Sequence, residues 1–200
     1  MREIYLIKKS ILRRLYFLKN KYRAFGKNSL IFKPLCILGK KNIEVGNYVS
    51  IDCGARIEAI SKWNSQKFNP RIFIGDNTSF EQNSHIIATG NLIIGKSCVF
   101  SSRVFITTCS HSYDEVNVNV MQQNLINNDV IIGDNCFIGM DVKIFPGVRI
   151  GNNVIIGANS IVLNDLPSYS VCVGTPARVI KRYDFNNRRW VSIKGENLDE

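Results

Sequence analysis

Histidine is the scarcest reactive residue in this chain: there are two in 200 residues, His85 and His111. A zinc centre held by three histidines with an open water position therefore has too few ligands. Cysteine is more plentiful, but residues 36, 53, 98, 109, 136 and 172 form no CxxC pair and no Cys/His cluster. They read as reduced core fillers of a cytosolic protein, not as a disulfide or metal framework. No apolar run reaches the roughly 18 residues that a membrane span needs. Lys8, Lys9, Arg13 and Arg14 break up the N-terminal apolar stretch, so no secretory leader is expected and the chain reads as cytoplasmic. Acidic residues are also short, 16 against 26 basic, for a net charge of +10. That balance suits an anionic partner, but no aromatic and basic stacking platform accompanies it, which argues against nucleic acid.

What the sequence does have is a period. From Ile132 to Val162 an aliphatic residue returns at every sixth position (Ile132, Ile138, Ile144, Ile150, Ile156, Val162), followed by Gly at 133, 139, 151 and 157. This period is neither the 2.0 of a simple strand nor the 3.6 of a helix. A small or apolar residue follows four places later (Cys136, Val142, Val148, Val154, Ser160). Hexads of this kind predict an all-β parallel β-helix, with one short strand and one corner per hexad and three hexads per coil. Ile132 should then stack beneath Ile150, and Ile138 beneath Ile156. Gly, Asn and Asp are expected at corners that favour left-handed backbone.

In chain order, residues 1–30 carry a basic amphipathic pattern, with Ile4, Ile7, Ile11, Leu15, Leu18 and Tyr22 at helical spacing. The pattern predicts an N-terminal helix that lids the first coil or lies on an anionic membrane face. Hexads begin at Val45, break at an insertion (KWNSQKFNPR), resume at Ile74 and continue to Ile106, giving about five coils over 31–167. A long aperiodic loop spans 112–130, of the kind that carries function. Residues 168–200 read as closure of the coil, a basic cluster and a short C-terminal helix or arm.

His111 stands where the last hexad of its coil meets that loop. An imidazole at the rim of a rigid scaffold suits a general base, because its ordinary pKa near 6.5 lets it take and return a proton at neutral pH. Asp114 and Glu115 are near enough in sequence to orient it or to bind an acceptor; they also read as plain loop charges. His85, Gln82 and Asn83 share a corner that reads as surface or as acceptor contact.

The Gly-rich hexads, the loop opening with His111, and the closing NDLPSYSVCVGTPARVIK together resemble the hexapeptide-repeat acyltransferases. The likeness is to the galactoside and maltose acetyltransferase branch with its polysaccharide O-acetyltransferase relatives, and covers about 72–182. It implies a left-handed coil, a homotrimer with sites between subunits, and acetyl-CoA as cosubstrate without a metal. It further implies His111 as the catalytic base, a backbone N–H at Gly139 to Met140 for the oxyanion, and Ala158, Leu163 and Asn164 along the pantetheine arm. Lys181, with Arg178 or Arg182, would meet the phosphates; a solvated basic tail is the plainer reading of those three. Gln82 stands where the sugar branch has an acceptor-binding amide residue. The function so implied is O-acetylation of a sugar hydroxyl, free or lipid-linked, at the inner membrane face if the N-terminus docks there. The rivals are N-acylation of an amino-sugar nucleotide and a non-catalytic scaffold. The same fold also serves as a zinc carbonic anhydrase, which the histidine count disfavours.

Overall fold

The computed structural model describes residues 22–193. Successive strands are dealt in rotation onto three parallel sheets, which form the three faces of a prism. The first face stacks Ala24–Phe25, Ile43–Val45, Arg71–Ile74, Asn91–Ile94, Val130–Ile132 and Arg149–Ile150. The second stacks Leu30–Ile31, Ser50–Ile51, Ser79–Phe80, Val99–Phe100, Phe137–Ile138, Ile155–Ile156 and Ser170–Gly174. The third stacks Cys36–Leu38, Arg56–Ala59, His85–Ala88, Phe105–Thr107, Lys143–Ile144 and Ile161–Val162.

The six-residue period sets the register. Ile132 pairs with Ile150, Ile138 with Ile156 and Ile144 with Val162. These side chains point inward and are essentially fully buried, as are Cys136, Val142, Val148, Val154 and Ser160 at the second inward position. Inside, the rings of Phe80 and Phe100 stack 4.1 Å apart, 5° from parallel.

Several details differ from the sequence reading. Each face holds six strands ahead of the closing segment, so the stack starts one coil earlier than Val45. Phe25, Ile31 and Ile37 already sit in register with Val45, Ile51 and Ile57. Most of the predicted N-terminal helix lies outside the described residues, and Ala24–Phe25 at its end is a strand. Left-handed backbone falls most often to Asn, as at Asn83, Asn135, Asn153 and Asn159, with Asp141 among them (φ 56 to 60°), and not to Gly133, Gly139, Gly151 or Gly157. These glycines answer a different demand, which is the close approach of the next coil. A Cβ on Gly139 would lie 2.6 Å from the Ala158 nitrogen and 2.8 Å from the Ile156 oxygen.

The C-terminal segment is not helical over the described residues. Ser170–Gly174, Ala177–Asp184 and Arg189–Ser192 form an antiparallel meander on the second face. The turn is fixed by Asp184, whose carboxylate accepts from the Asn186 and Asn187 N–H groups and the Asn187 amide.

Candidate active site

Backbone can leave a β-helix only at a corner without breaking the ladder, and here two excursions leave by the same one, between the third and first faces. The first follows Arg56–Ala59 and folds into a hairpin of Lys62–Trp63 against Gln66–Lys67. The second follows Phe105–Thr107 and pairs Cys109–His111 antiparallel to Leu125–Asn127, with His111 opposite Leu125. The tight corner of the coil between them anchors the second: the Thr108 hydroxyl oxygen accepts from the N–H groups of Thr89 (2.9 Å) and Gly90 (3.1 Å).

The two hairpins grip each other. The Gln66 amide accepts from the Leu125 N–H (2.7 Å) and donates to the Leu125 carbonyl (3.2 Å). Asn64 donates to the Met121 carbonyl (3.2 Å). Trp63 meets the His111 imidazole with ring centroids 5.3 Å apart at 72°. The rest of the long loop closes on the buried Gln123, whose amide donates to the Glu115 and Val118 carbonyls and accepts from the Glu115 N–H.

The half-buried His111 therefore sits on a braced strand. Its Nδ1 is buried without a hydrogen-bond partner among the described residues, and so is the Trp63 Nε1. Nε2 has no hydrogen bond among the described residues and is not one of the buried unpartnered nitrogens. The Asp114 carboxylate accepts from the Ser112 hydroxyl (2.8 Å), and neither Asp114 nor Glu115 bonds the imidazole.

The remaining candidates lie elsewhere on the prism. Gln82 and Asn83, Ser102 and Arg103, Met140 and Asp141, and Ala158 and Asn159 form successive rungs of the corner between the second and third faces. They are linked by Arg103 N–H to Gln82 O (2.9 Å), Asp141 N–H to Ser102 O (3.1 Å) and Asn159 N–H to Met140 O (2.8 Å). The Arg103 guanidinium holds two short bonds to Asp141, 2.8 and 2.6 Å, and keeps that carboxyl below the usual carboxylate range. The Gly139 N–H is committed to the Ile156 carbonyl (2.8 Å), whereas the Met140 N–H has no acceptor among the described residues. Leu163 and Asn164 lie exposed on the His111 corner of the last coil, and Arg178, Lys181 and Arg182 lie exposed on the closing strand.

His85 faces the almost fully buried carboxylate of Glu58 at 3.6 Å, beside the Arg56 guanidinium that binds Glu58 at 2.7 and 2.9 Å. Glu58, Arg56, Trp63 and Gln66 carry no repeat signal, and only the indole in the insertion could have drawn attention. Among the described residues no three His, Cys, Asp or Glu side chains converge as a metal site.

Comparison with known proteins sets this geometry in context. The profile of the family described as Bacterial transferase hexapeptide (six repeats) matches residues 117–164. WbbJ of Escherichia coli (strain K12), whose name assigns it to O-acetyl transfer in lipopolysaccharide biosynthesis, is 30% identical over 176 residues, covering 84% of this chain and 86% of that protein. Galactoside O-acetyltransferase of the same strain is 32% identical over 62% of this chain, which spans 60% of that enzyme. Among solved structures, AntD, an N-acyltransferase from Bacillus cereus in complex with dTDP and 3-hydroxybutyryl-CoA, superposes with a TM-score of 0.72 at 22% identity, covering 87% of this chain and 90% of that one. At that identity the likeness speaks for the fold.

Proposed function

Because the chain belongs to the bacterial hexapeptide-repeat transferases and is an acyltransferase, we propose that it carries an acetyl group from acetyl-CoA to a sugar hydroxyl in polysaccharide or glycan synthesis. One observation carries the choice of base: His111 sits on a braced hairpin at the rim of the prism with its Nδ1 buried, which leaves Nε2 to meet an acceptor. The names of WbbJ and the galactoside enzyme support transfer to oxygen on a saccharide. The acyl-CoA bound to AntD supports the cosubstrate.

In the reaction, Nε2 of His111 takes the proton of the acceptor hydroxyl as its oxygen attacks the thioester carbonyl carbon. The carbonyl oxygen becomes an oxyanion, and the free N–H of Met140 is the donor suited to it. Collapse breaks the carbon–sulfur bond, and the departing thiolate takes the proton from His111. Gly139 contributes shape, since its own N–H belongs to the ladder.

His111 and Met140 lie on different corners, one face apart, which is roughly 20 Å at the rise of a strand. A single chain therefore holds half a site. The left-handed homotrimer implied by the resemblance would set the His111 corner of one copy against the Met140 corner of the next, with Gln82 and Asn83 toward the acceptor. Ala158, Leu163 and Asn164 would line the pantetheine arm, and Arg178, Lys181 and Arg182 would meet its phosphates.

The test is thiol release from acetyl-CoA across paired hydroxyl and amino sugars, with products identified by mass spectrometry. His111→Ala should lower turnover by about 10²- to 10⁴-fold, the usual span for a general base, with assembly intact. Undiminished turnover would reject His111 as the base, and products acetylated only on nitrogen would replace the acceptor class.

A further inference from the structure

Trp63 belongs to neither the repeat nor the residues used above, yet the hairpin that carries it is built onto the strand opposite His111. Gln66 clamps both polar groups of the Leu125 backbone, and Leu125 is the register partner of His111. The imidazole rests on the indole at 5.3 Å, with Nδ1 buried and unbonded. A base acting through Nε2 needs the proton on Nδ1, an arrangement commonly fixed by a carboxylate or carbonyl acceptor. Here Asp114 is engaged with Ser112 and no acceptor reaches Nδ1.

We propose that Trp63 is the positioning residue of His111, holding the ring and its Nδ1–H tautomer in place of a carboxylate. Of the two steep arrangements that this angle allows, the one that sets the imidazole Nδ1 edge against the π face of the indole favours an N–H there over a lone pair, and it is the one proposed. An indole N–H turned toward Nδ1 would favour the other tautomer, which the test below distinguishes. Rotation of the imidazole is blocked by the same contact, and Nε2 stays turned outward. The proposal rests on His111 being the base.

Two histidines make the test clean. With ¹⁵N-labelled histidine in the full-length assembled protein, the signals lost in His111→Gln belong to His111, and the shifts of its two nitrogens report the tautomer without substrate. Trp63→Leu keeps bulk but removes the π face. It should turn a single Nδ1–H tautomer into a mixture and lower kcat about tenfold to a hundredfold, the scale of a misplaced catalytic group. KM for acetyl-CoA should stay within about twofold, and Trp63→Phe should restore both readouts because it keeps an aromatic partner. An unchanged tautomer in Trp63→Leu overturns the proposal even if kcat falls, because Trp63 would then act elsewhere. A tautomer shift without loss of kcat overturns it as well. If His111→Ala stays active, the choice of base fails separately, while the tautomer measurement still reports whether Trp63 holds the ring.

Discussion

Two glycines of one coil offer a controlled comparison between scaffold and site. Gly139 and Gly133 each follow an inward Ile, and each is pressed by the next coil. An added Cβ at Gly139 would meet the Ala158 nitrogen at 2.6 Å, and one at Gly133 would meet the Gly151 carbonyl carbon at 2.7 Å. At Gly133 the nearest atom is the Asn152 side-chain oxygen, itself held by the Asp134 N–H, but backbone atoms of the next coil press both positions, so neither clash is fully relieved by a side-chain rotation. Overpacking of this kind costs about 1–3 kcal/mol, which for a chain of this size lowers the melting temperature by about 2–12 °C. Gly133→Ala and Gly139→Ala should therefore lose similar stability. They should differ in catalysis, because Gly139 precedes the unbonded Met140 N–H on the second-to-third corner, whereas Gly133 turns the first-to-second corner, which carries no proposed site residue. A displacement of some tenths of an ångström at an oxyanion donor costs about tenfold to a hundredfold. Melting curves and steady-state kinetics on the two variants are sufficient. Equal loss of kcat in both would refute the special role of the Met140 corner, and equal retention would refute it too.

Two further outcomes concern the scaffold. Phe100→Ala empties half of the stacked Phe80 pair in the core and should cost about 3–5 kcal/mol, seen as a fall of about 6–20 °C in melting temperature; a change below about 3 °C would contradict the packing. Asp141 has its folded pKa lowered by Arg103, so the pair adds stability above the unfolded carboxyl value near 3.9 and loses it as pH falls through the lower folded value. Asp141→Asn, which suits the left-handed corner (φ 60°), should melt below the native protein at neutral pH, and the gap should close below about pH 4. A gap of the same size at pH 3 and pH 7 would exclude the charge interaction.

The repeat was legible because each hexad repeats one physical problem, an inward aliphatic, a tight corner and a neighbour one rung away. The register of Ile132 on Ile150 follows from spacing alone. The first coil carries the mark only once, in Gly26 after Phe25 with Asn28 at the left-handed corner (φ 59°). Ile31 and Ile37 keep the step but are followed by Phe32 and Leu38, so one marked hexad did not stand out as a period. Of the candidate site, His111 was legible, through its type and its place at a loop mouth. Its supports were not, because Gln66 and Leu125 lie 59 residues apart in sequence and nothing local announces their contact.

The spacing of the two excursions explains why they meet. The hairpin with Trp63 leaves the second coil and the one with His111 leaves the fourth, while the third coil turns the same corner tightly through Thr89 and Gly90. Two rungs of a β ladder amount to roughly 10 Å, the separation at which one layer of side chains fills the gap between packed β structures. Hairpins on adjacent rungs would stand about 5 Å apart and leave no room for an indole across an imidazole. Hairpins three rungs apart would leave Gln66 short of Leu125. The silent third corner is thus a spacer, and the orientation of His111 depends on a coil that contributes no side chain to its ring.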